Sequence, residues 1–212
     1  MIELLSHFGC DSMVANVARV SYAKEASNYT EEQNAKLITY LYNHKHTSCF
    51  RHPQLQFRVR CSLYVERQIF KHQVGISVNS ISGRYVDFSD SYYYIDEWRK
   101  QSKSSKQGSE GLIDNQAIAH TIQDEVIEFC KERYQQLLNL GVAKEQARSV
   151  LPLSLETEFI WTGSFLSFMH LCSLRIKDDV QRETRDVVEQ MLSSVKSIKD
   201  DPFKHSIKAW GW

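Results

Sequence analysis

The hydrophobic and polar positions of the chain repeat with two different periods, and each period predicts one type of element. In "QLQFRVRCSL" (54–63) apolar and polar residues alternate, which is typical of a half-buried strand. "MIELL" (1–5) predicts a short opening strand, and "RYVDF" (84–88) is a further candidate strand. From Ser62 the spacing becomes helical in "LYVERQIFKHQ", so we expect a helix to about residue 73, with Gly75 as its stop.

Helical patterns dominate the remainder of the chain. Asp11 is placed to cap a helix over about 12–20, and Thr30 with Gln33 forms the signature of a capping box. "IAHTIQDEVIEFCKERYQQLLNLG" predicts a long amphipathic helix that ends at Gly141. Its apolar face comprises Ile118, Ile122, Val126, Phe129 and Leu137. We also expect helices over "KEQARSVLP", "SFLSFMHLCSL" and "DDVQRETRDVVEQMLSSVKSI". The element order predicts the class α/β, with a modest mixed or antiparallel sheet flanked by several helices.

Length and composition place these elements in one domain without a strong overall charge. The 212 residues suit a single domain over 1–212, and "RKQSKSSKQGSEG" (99–111) predicts a flexible, exposed polar loop within it. Lysine plus arginine number 26, as do aspartate plus glutamate, so any anion site must be local. The 5 scattered cysteines argue against a disulfide framework and a zinc ribbon, and they favour a reducing, cytoplasmic setting. We expect neither a signal peptide nor a membrane span.

The segment "KHQVGISVNSISGRY" (71–85) concentrates hydrogen-bond donors that suit an anion. Helical spacing would bring Gln68 and His72 to one face beside Lys71, and a serine-rich turn would present Arg84 with several hydroxyls. Such donors fit a phosphate ester. The alternative is a solvated loop whose serines bond to their own backbone. The hydroxyls belong to Ser77, Ser80 and Ser82.

Two arginines, the histidines and one serine need separate interpretations. Arg148 and Arg175 follow or interrupt apolar helix faces, where each either meets an anion or forms an ion pair, with Glu145 and Asp178 respectively. The histidines lack the spacing of known metal motifs, so we expect no metal site. Ser82 has no GxSxG elbow and no assignable base, so the role of phosphate donor suits it better than that of nucleophile.

Several blocks taken together resemble the flavin-dependent thymidylate synthases. "RQIFKHQVGISVNSISGRY" is similar to the family signature, "ANVARVSYAK" to its N-terminal segment and "YLYNHKHTSCFRH" to its histidine loop. "EQARSVLPLSL" is similar to the arginine helix, and "FMHLCSLRIKDDVQRETR" to the C-terminal active-site helix. These blocks keep the family's order over about residues 15–190. The resemblance implies an α/β homotetramer that binds FAD and deoxyuridine monophosphate, stacked on each other, where subunits meet.

The resemblance also implies a reaction and a set of site residues within a single catalytic domain. The reaction is reductive methylation of dUMP to dTMP, with methylenetetrahydrofolate as carbon donor and NADPH as reductant. Arg175 would stabilise charge on the uracil ring, and Arg148 and His46 would join it as catalytic residues. The nucleotide-binding residues would be Gln68, Ser82, Gly83, Arg84, Arg148 and Arg175. The residues along the flavin and folate would be Ser21, His46, Ser48, Lys71, His72, Gln73, Ser80, Ser164 and His170.

The chain departs from the family pattern mainly on the flavin side. Lys71, His72 and Gln73 stand where the family has Arg-His-Arg, and one extra residue, most simply Gly75, precedes the serines. A lysine keeps the charge of an arginine but loses its planar fork, and a glutamine loses the charge. An acid, an asparagine and an arginine of the family are replaced by Ser80, Ser164 and Leu166.

These departures leave two alternatives open. One is a paralogue that modifies another pyrimidine deoxynucleotide, such as dCMP, or that adds a hydroxymethyl group. The other, from a different class, is a non-catalytic nucleic-acid-binding protein, against which the zero net charge and the lack of a nucleic-acid motif both argue. Its basic surface would comprise Arg51, Arg58, Arg60, Lys71 and Arg84.

Overall fold

The computed structural model describes residues 1–86 and 90–212, and helices and strands are mixed along this part of the chain. The first half contains β1 (Ile2–Phe8), α1 (Asp11–Arg19), α2 (Glu31–Asn43), β2 (Gln54–Ser62), α3 (Leu63–Ile69) and β3 (Ile76–Ser80). The second half contains β4 (Arg99–Gln101), β5 (Ser109–Leu112), α4 (Gln116–Asn139), α5 (Lys144–Ala147), β6 (Glu156–Ser164), α6 (Phe165–Arg175), α7 (Arg182–Lys196) and α8 (Lys204–Ala209). Short 3-10 turns occupy 20–22, 26–28, 47–51 and 148–150.

An antiparallel sheet of 4 strands in the order β1-β2-β6-β3 carries the core. The alternation in "QLQFRVRCS" correctly predicted β2, whose residues Phe57 and Val59 are fully buried. The α/β class with a modest antiparallel sheet is thus confirmed. The sequence reasoning missed β6, which pairs with β2 along its whole length, Phe57 opposite Trp161.

Helices α6 and α7 cover the buried face of this sheet. The ring of Phe168 on α6 lies 4.8 Å from that of Phe57 and 5.4 Å from that of Trp161, in edge-to-face contacts. Val188 and Met191 of α7 belong to the same cluster. Burying one large apolar side chain contributes about 1.5–3 kcal/mol. These contacts therefore hold α6 in place on the sheet, and with it the position of its C-terminal end.

The segment after β2 differs from the prediction. Helix α3 ends at Ile69 rather than near 73, and the ring of Phe70 packs 4.7 Å from that of Phe159 instead of continuing the helix. Gly75 is not the stop of this helix, because α3 already ends at Ile69, and the φ of +72° at Gly75 belongs to the turn that leads into β3. The expected serine-rich turn is in fact the edge strand β3, in which Ser77 pairs with Thr162.

Two helix-capping predictions had different outcomes. The capping box of α2 is confirmed, since the Thr30 hydroxyl accepts from the backbone N–H of Gln33 and the Gln33 side chain accepts from that of Thr30. The prediction for Asp11 was wrong, because this residue is the first of α1 and its carboxylate points elsewhere. It accepts from the backbone N–H groups of His205 and Ser206 at 2.6 and 3.0 Å and so caps α8, which the sequence reasoning missed.

The polar segment 99–111 contains more regular structure than a loop. Strands β4 and β5 form a two-stranded antiparallel hairpin, and the side chain of Gln101 donates to three carbonyl groups of its turn, Ser105, Lys106 and Gly108. The candidate strand over 84–88 is not formed at 84–86, which lie in a turn, and its last two residues lie outside the described part.

Helix α4 ends as predicted, with Gly141 at φ +82° just beyond it, but its predicted apolar face is largely exposed. The exposed fraction runs from 48% for Val126 to 60% for Ile118, and the buried side chains are instead Ile127 and Tyr134. We call Ile118, Ile122, Val126 and Phe129 the α4 stripe. Among the described residues no helix is long and apolar enough to span a membrane.

Candidate active site

A pocket of about 430 Å³ lies between the ends of α3 and α6. Gln68 from the last turn of α3 and Arg175 from the end of α6, two of the residues predicted to bind the nucleotide, both line it. The hairpin contributes Gln107, and the segment before α7 contributes Gln181. The remaining lining residues are Leu174, Lys177, Asp179 and Val180.

Arg175 is held in this pocket by two hydrogen bonds. Its Nε donates to Nε2 of His72 over 3.0 Å, and its Nη2 donates to the carbonyl of Gln68 over 3.2 Å. Gln68 and His72 therefore do come together, but through Arg175 and not through the predicted helical spacing. The two bonds use two of the five N–H donors of the guanidinium group.

The contact with Arg175 requires a neutral imidazole at His72. Burial lowers the pKa of His72, and the charges of Arg175 and His170 lower it further. Nε2 accepts a hydrogen bond only as the unprotonated nitrogen, so the proton of the neutral ring is assigned to Nδ1. His72 is thus a fixed acceptor that orients a cation.

A second pocket of about 600 Å³ adjoins the first and shares Leu174 with it. Five of the predicted flavin-side residues line it, and its other polar residues are Arg51 and Gln54 near β2 and Ser167 on α6. Partial burial lowers the pKa of His170, and the charges of Arg51 and Lys45 act in the same direction. The five predicted residues are Lys71, His72, Gln73, Ser164 and His170.

The loop that departs from the family pattern is anchored to the start of α6. The Ser167 hydroxyl donates to the carbonyl of Val74 over 2.8 Å and lies 2.8 Å from the hydroxyl of Ser164. Ser164 also caps α6 by accepting from the backbone N–H of Ser167. At Gly75 a Cβ would lie 2.6 Å from the Ser167 oxygen, so the close approach of loop and helix requires a glycine.

The predicted phosphate residues lie apart from both pockets in the single chain. Ser82 to Arg84 follow the far end of β3 from Gly75, and Gly83 is buried while Arg84 is exposed. The Arg84 guanidinium donates to the hydroxyl of Tyr85 over 3.1 Å, and its backbone N–H donates to the Ser82 hydroxyl over 3.4 Å. The Ser82 hydroxyl bonding to backbone was the pattern expected of a solvated loop.

The ion pairs considered for the two other arginines are not present. Arg148 is exposed, and its Nε donates to the backbone carbonyl of Glu145 over 3.3 Å rather than to the carboxylate. Asp178 lies 3.5 Å from Arg185 instead of pairing with Arg175. Both predicted anion-binding arginines therefore keep guanidinium groups that no carboxylate neutralises among the described residues.

Four more of the predicted residues are exposed and line neither pocket. Ser21 lies in the 3-10 turn after α1, Ser80 ends β3, and His46 and Ser48 lie at and just after the start of the 3-10 turn over 47–51. His46 belongs to an aromatic group with Tyr40 and His44. The chain by itself thus brings together Gln68, Arg175 and five of the nine predicted flavin-side residues, and leaves the other candidates separated from them.

Sequence reasoning missed a polar chain behind the first pocket. Gln68 Nε2 donates to Oε1 of Gln181, and Gln181 Nε2 donates to a carboxylate oxygen of Glu183 over 2.9 Å. Arg99 of β4 donates to the other oxygen over 2.7 Å. Burial alone would raise the pKa of Glu183, but the bonds from Arg99 and Gln181 outweigh it, so the pKa is lowered. The polar run "QRETR" at the start of a predicted amphipathic helix was the available signal.

Comparison with known proteins assigns the chain to a family. The family model described as thymidylate synthase complementing protein matches residues 3–199. A flavin-dependent thymidylate synthase of Thermus thermophilus is 38% identical over 196 residues, which cover 92% of this chain and 71% of that protein. One from Kosmotoga olearia is 36% identical over 198 residues, covering 92% and 85% respectively. The chain belongs to the flavin-dependent thymidylate synthase family. It is an enzyme of the methyltransferase class.

Solved structures support the same assignment. The fold matches a UMP/dUMP methylase, PolB from Streptomyces cacaoi, bound with 5-Br dUMP, with a TM-score of 0.89 and 28% identity over 100% of this chain and 94% of that chain. The same methylase bound with 5-Br UMP gives a TM-score of 0.86 and 27% identity, covering 100% and 93%. The prediction of family from ordered motifs is confirmed.

Carboxylates partly neutralise the basic surface that a nucleic-acid-binding protein would use. Arg58 lies 2.7 Å from a carboxylate oxygen of Glu3, and Arg60 lies 3.1 Å from one of Glu156. Arg51 instead lines the second pocket. Neighbouring carboxylates therefore neutralise two of the five proposed cations, which weakens this surface as a binding site for phosphate backbones.

Proposed function

We propose that the chain methylates dUMP to dTMP, with FAD as cofactor, methylenetetrahydrofolate as carbon donor and NADPH as reductant. The observation that carries the proposal is the position of Arg175, which lines the first pocket while its Nε is bonded to a residue of the second. A nucleotide in the first pocket would thus adjoin a flavin in the second. Family membership and the dUMP-binding methylase of the same fold support this substrate.

The nucleotide would be bound at both its ends. Arg175, with Gln68 beside it, would meet the uracil ring in the first pocket. Ser82, Gly83, Arg84 and Arg148 would meet the phosphate, because their donors suit an anion and neither guanidinium group is paired with a carboxylate of the described residues. Since these residues lie apart in one chain, we propose that a second subunit brings them to the pocket.

The lining of the second pocket fits a flavin ring. Leu166, Leu174 and Ile76 provide apolar surface for a ring face, and Lys71 and Gln73 provide polar groups for its edge. Its volume of about 600 Å³ lies within the range of small-molecule sites. With His72, Ser164 and His170 these residues would hold the flavin, and Ser21, His46, Ser48 and Ser80 would approach from the exposed parts of a neighbouring subunit.

The chain's own contribution to the reaction would be electrostatic. C5 of uracil attacks a carbon donor only when negative charge is pushed into the ring, and a guanidinium at the carbonyl edge stabilises that enolate. Arg175 suits this role because His72 and the Gln68 carbonyl fix its orientation before the substrate binds. Bound FAD would supply the redox chemistry. Arg148 and His46 would act with Arg175 at the assembled site.

We propose that the protein is a cytoplasmic homotetramer. Each subunit is a single domain, and each active site lies between subunits. The α4 stripe supports the association, because a row of half-exposed apolar side chains on one helix is costly to leave in water. A second copy of the chain is the partner that the separated site residues also need. The α4 stripe and the separated site residues therefore both favour association of the chain with a second copy of itself.

UMP is a second candidate substrate. The methylase of the same fold is described as acting on UMP and dUMP, and it has been observed with 5-bromo derivatives of both. Binding of dUMP, UMP and dCMP, each measured by calorimetry, distinguishes the candidates. We expect dUMP to bind most tightly, and equal affinity for UMP would favour the second candidate.

The cofactor assignment is tested by the absorbance of the purified protein. We expect a flavin band, either as purified or after incubation with FAD, and its loss in a His170→Ala variant that still melts as the wild type does. A colourless protein that cannot be reconstituted with FAD contradicts the proposed function.

A further inference from the structure

The polar chain behind the first pocket connects three elements that are distant in the sequence, α3, α7 and the hairpin of β4 and β5. It runs from Gln68 on α3 through Gln181 to Glu183 on α7, and ends at Arg99 on the hairpin. The hairpin is fixed in turn, because Arg99 Nε donates to the hydroxyl of Ser109 over 2.9 Å. At the hairpin tip Gln107 donates to Asp179 over 3.3 Å beside the same pocket.

Each group along this chain has only one hydrogen-bonding direction open to it. An ionised carboxylate accepts and never donates, so Glu183 must receive a hydrogen bond from the Nε2 of Gln181. The Oε1 of Gln181 is then directed at Gln68, which must present its Nε2 there. This leaves the Oε1 of Gln68 and one of its N–H groups for the pocket.

The carboxylate of Glu183 in this polar chain is held in its ionised state. The side chain of Glu183 is 6% exposed and that of Arg99 is 18% exposed, at an N–O distance of 2.7 Å. A buried pair of this kind stays charged, because leaving either partner alone is costly. The negative charge of Glu183, which lies outside the first pocket, therefore fixes which side-chain atoms of the two glutamines donate and which accept.

We infer that Gln181 is a positioning residue for the nucleotide, which acts through Gln68 and is itself oriented by the pair of Arg99 and Glu183. The inference rests on the proposed function, since it takes the first pocket as the dUMP site. It gives the hairpin a role in substrate binding: the pair that orients the glutamines is complete only when β4 lies against α7.

The test is a double-mutant cycle on dUMP affinity, measured by calorimetry on the full chain. Gln181→Met keeps the side-chain volume and removes both hydrogen bonds, and we expect it to weaken dUMP binding about tenfold. Gln68→Met should weaken binding at least as much. Because Gln181 acts through Gln68, the double variant should bind no more weakly than Gln68→Met alone.

A matched control separates positioning from general destabilisation. Gln123→Met removes a glutamine that bonds to the backbone of Ile95 and Tyr93 at 3.1 and 3.0 Å and lines neither pocket. We expect this variant to lower the melting temperature without changing dUMP affinity. If Gln181→Met does not fold, Gln181→Asn stays polar but is too short to reach both partners, and it should show the same loss.

The outcomes separate the inference from the proposed function. Wild-type protein that fails to bind dUMP contradicts the proposed function, and the inference with it. Wild-type protein that binds dUMP while the Gln181 variants bind equally well overturns the inference alone. A double variant whose loss is the product of the two single losses also overturns it, because the residues would then act independently.

Discussion

Arg175 at the end of α6 donates a hydrogen bond to His72 over 3.0 Å, and this contact joins the two pockets of the candidate active site. The histidine lies in the loop that departs from the family pattern, and the arginine is the group proposed to stabilise charge on the substrate. The departing loop therefore contacts the proposed catalytic arginine directly. Its effect on the enzyme can be tested through the protonation of His72.

Binding of dUMP should weaken as the pH falls through the pKa of His72, which burial and the charges of Arg175 and His170 lower from histidine's ordinary value of 6.5. The pKa of His72 is lowered in the folded chain, so the imidazole is neutral above pH 6.5 in both folded and unfolded states. Below it the unfolded chain takes up the proton first, and the folded state loses stability until its own lowered pKa is passed. Once protonated, His72 repels Arg175 instead of orienting it.

The matched variant is His72→Gln, which keeps a neutral acceptor. Calorimetric titrations at several pH values should show a smaller loss of affinity at low pH for this variant than for the wild type. Deoxyuridine, which lacks the titrating phosphate, removes the contribution of the ligand itself. Identical pH profiles for the two proteins would show that His72 is not the titrating group.

Gly75→Ala should destabilise the fold more than Gly141→Ala does. Both glycines have positive φ, +72° and +82°, and an alanine in that conformation costs about 1–2 kcal/mol. Only at Gly75 would the added Cβ also meet an atom, the Ser167 oxygen at 2.6 Å, whereas open space surrounds Gly141. Thermal melting of the two variants measures the difference.

Removing the hydroxyl oxygen of Ser167 should relieve the steric part of the cost of Gly75→Ala. We expect Ser167→Ala to reduce the penalty of Gly75→Ala, although Ser167→Ala alone destabilises by removing its hydrogen bond to Val74. Equal melting temperatures for the two glycine variants would contradict the close approach of the loop to α6.

The double substitution Val126→Glu with Phe129→Glu should dissociate the proposed oligomer into smaller species. It places two negative charges within the α4 stripe, where an interface would have to desolvate them. Gln135→Glu, also on an exposed position of α4, is the control and should leave the assembly unchanged. Size-exclusion chromatography with light scattering measures the mass, and a variant that keeps the wild-type mass contradicts an interface at this stripe.

Arg84→Ala should weaken binding of dUMP far more than binding of deoxyuridine, because only the former carries a phosphate. A lost charge-assisted hydrogen bond costs about 1.5–3 kcal/mol, which corresponds to roughly 10- to 100-fold in affinity. Arg58→Ala is the control, since Arg58 is already paired with Glu3. An equal loss for nucleotide and nucleoside would remove Arg84 from the phosphate site.

Elements set by local signals could be predicted, and those set by distant contacts could not. The period of β2, the capping box of α2 and Gly141 after α4 are properties of short segments. The end of α3 depends on Phe70 packing against Phe159, which is 89 positions away in the sequence. β6 was missed because its buried positions include Thr157 and Gly163, which weaken the apolar alternation.

The same division holds for the candidate site. Gln68, His72 and Arg175 were found from ordered motifs, and the structure brings these three together. Gln181 and Glu183 lie in a block similar to the family's C-terminal active-site helix, but their contacts were missed because they depend on Arg99, 84 positions from Glu183.

The most direct test of the account is the product that the purified enzyme forms from dUMP, methylenetetrahydrofolate and NADPH in the presence of FAD. Mass spectrometry should show dTMP, heavier than the substrate by one CH₂ group, and dCMP should remain unchanged. A hydroxymethylated nucleotide, conversion of dCMP in place of dUMP, or no nucleotide product from protein loaded with flavin would contradict the central claim.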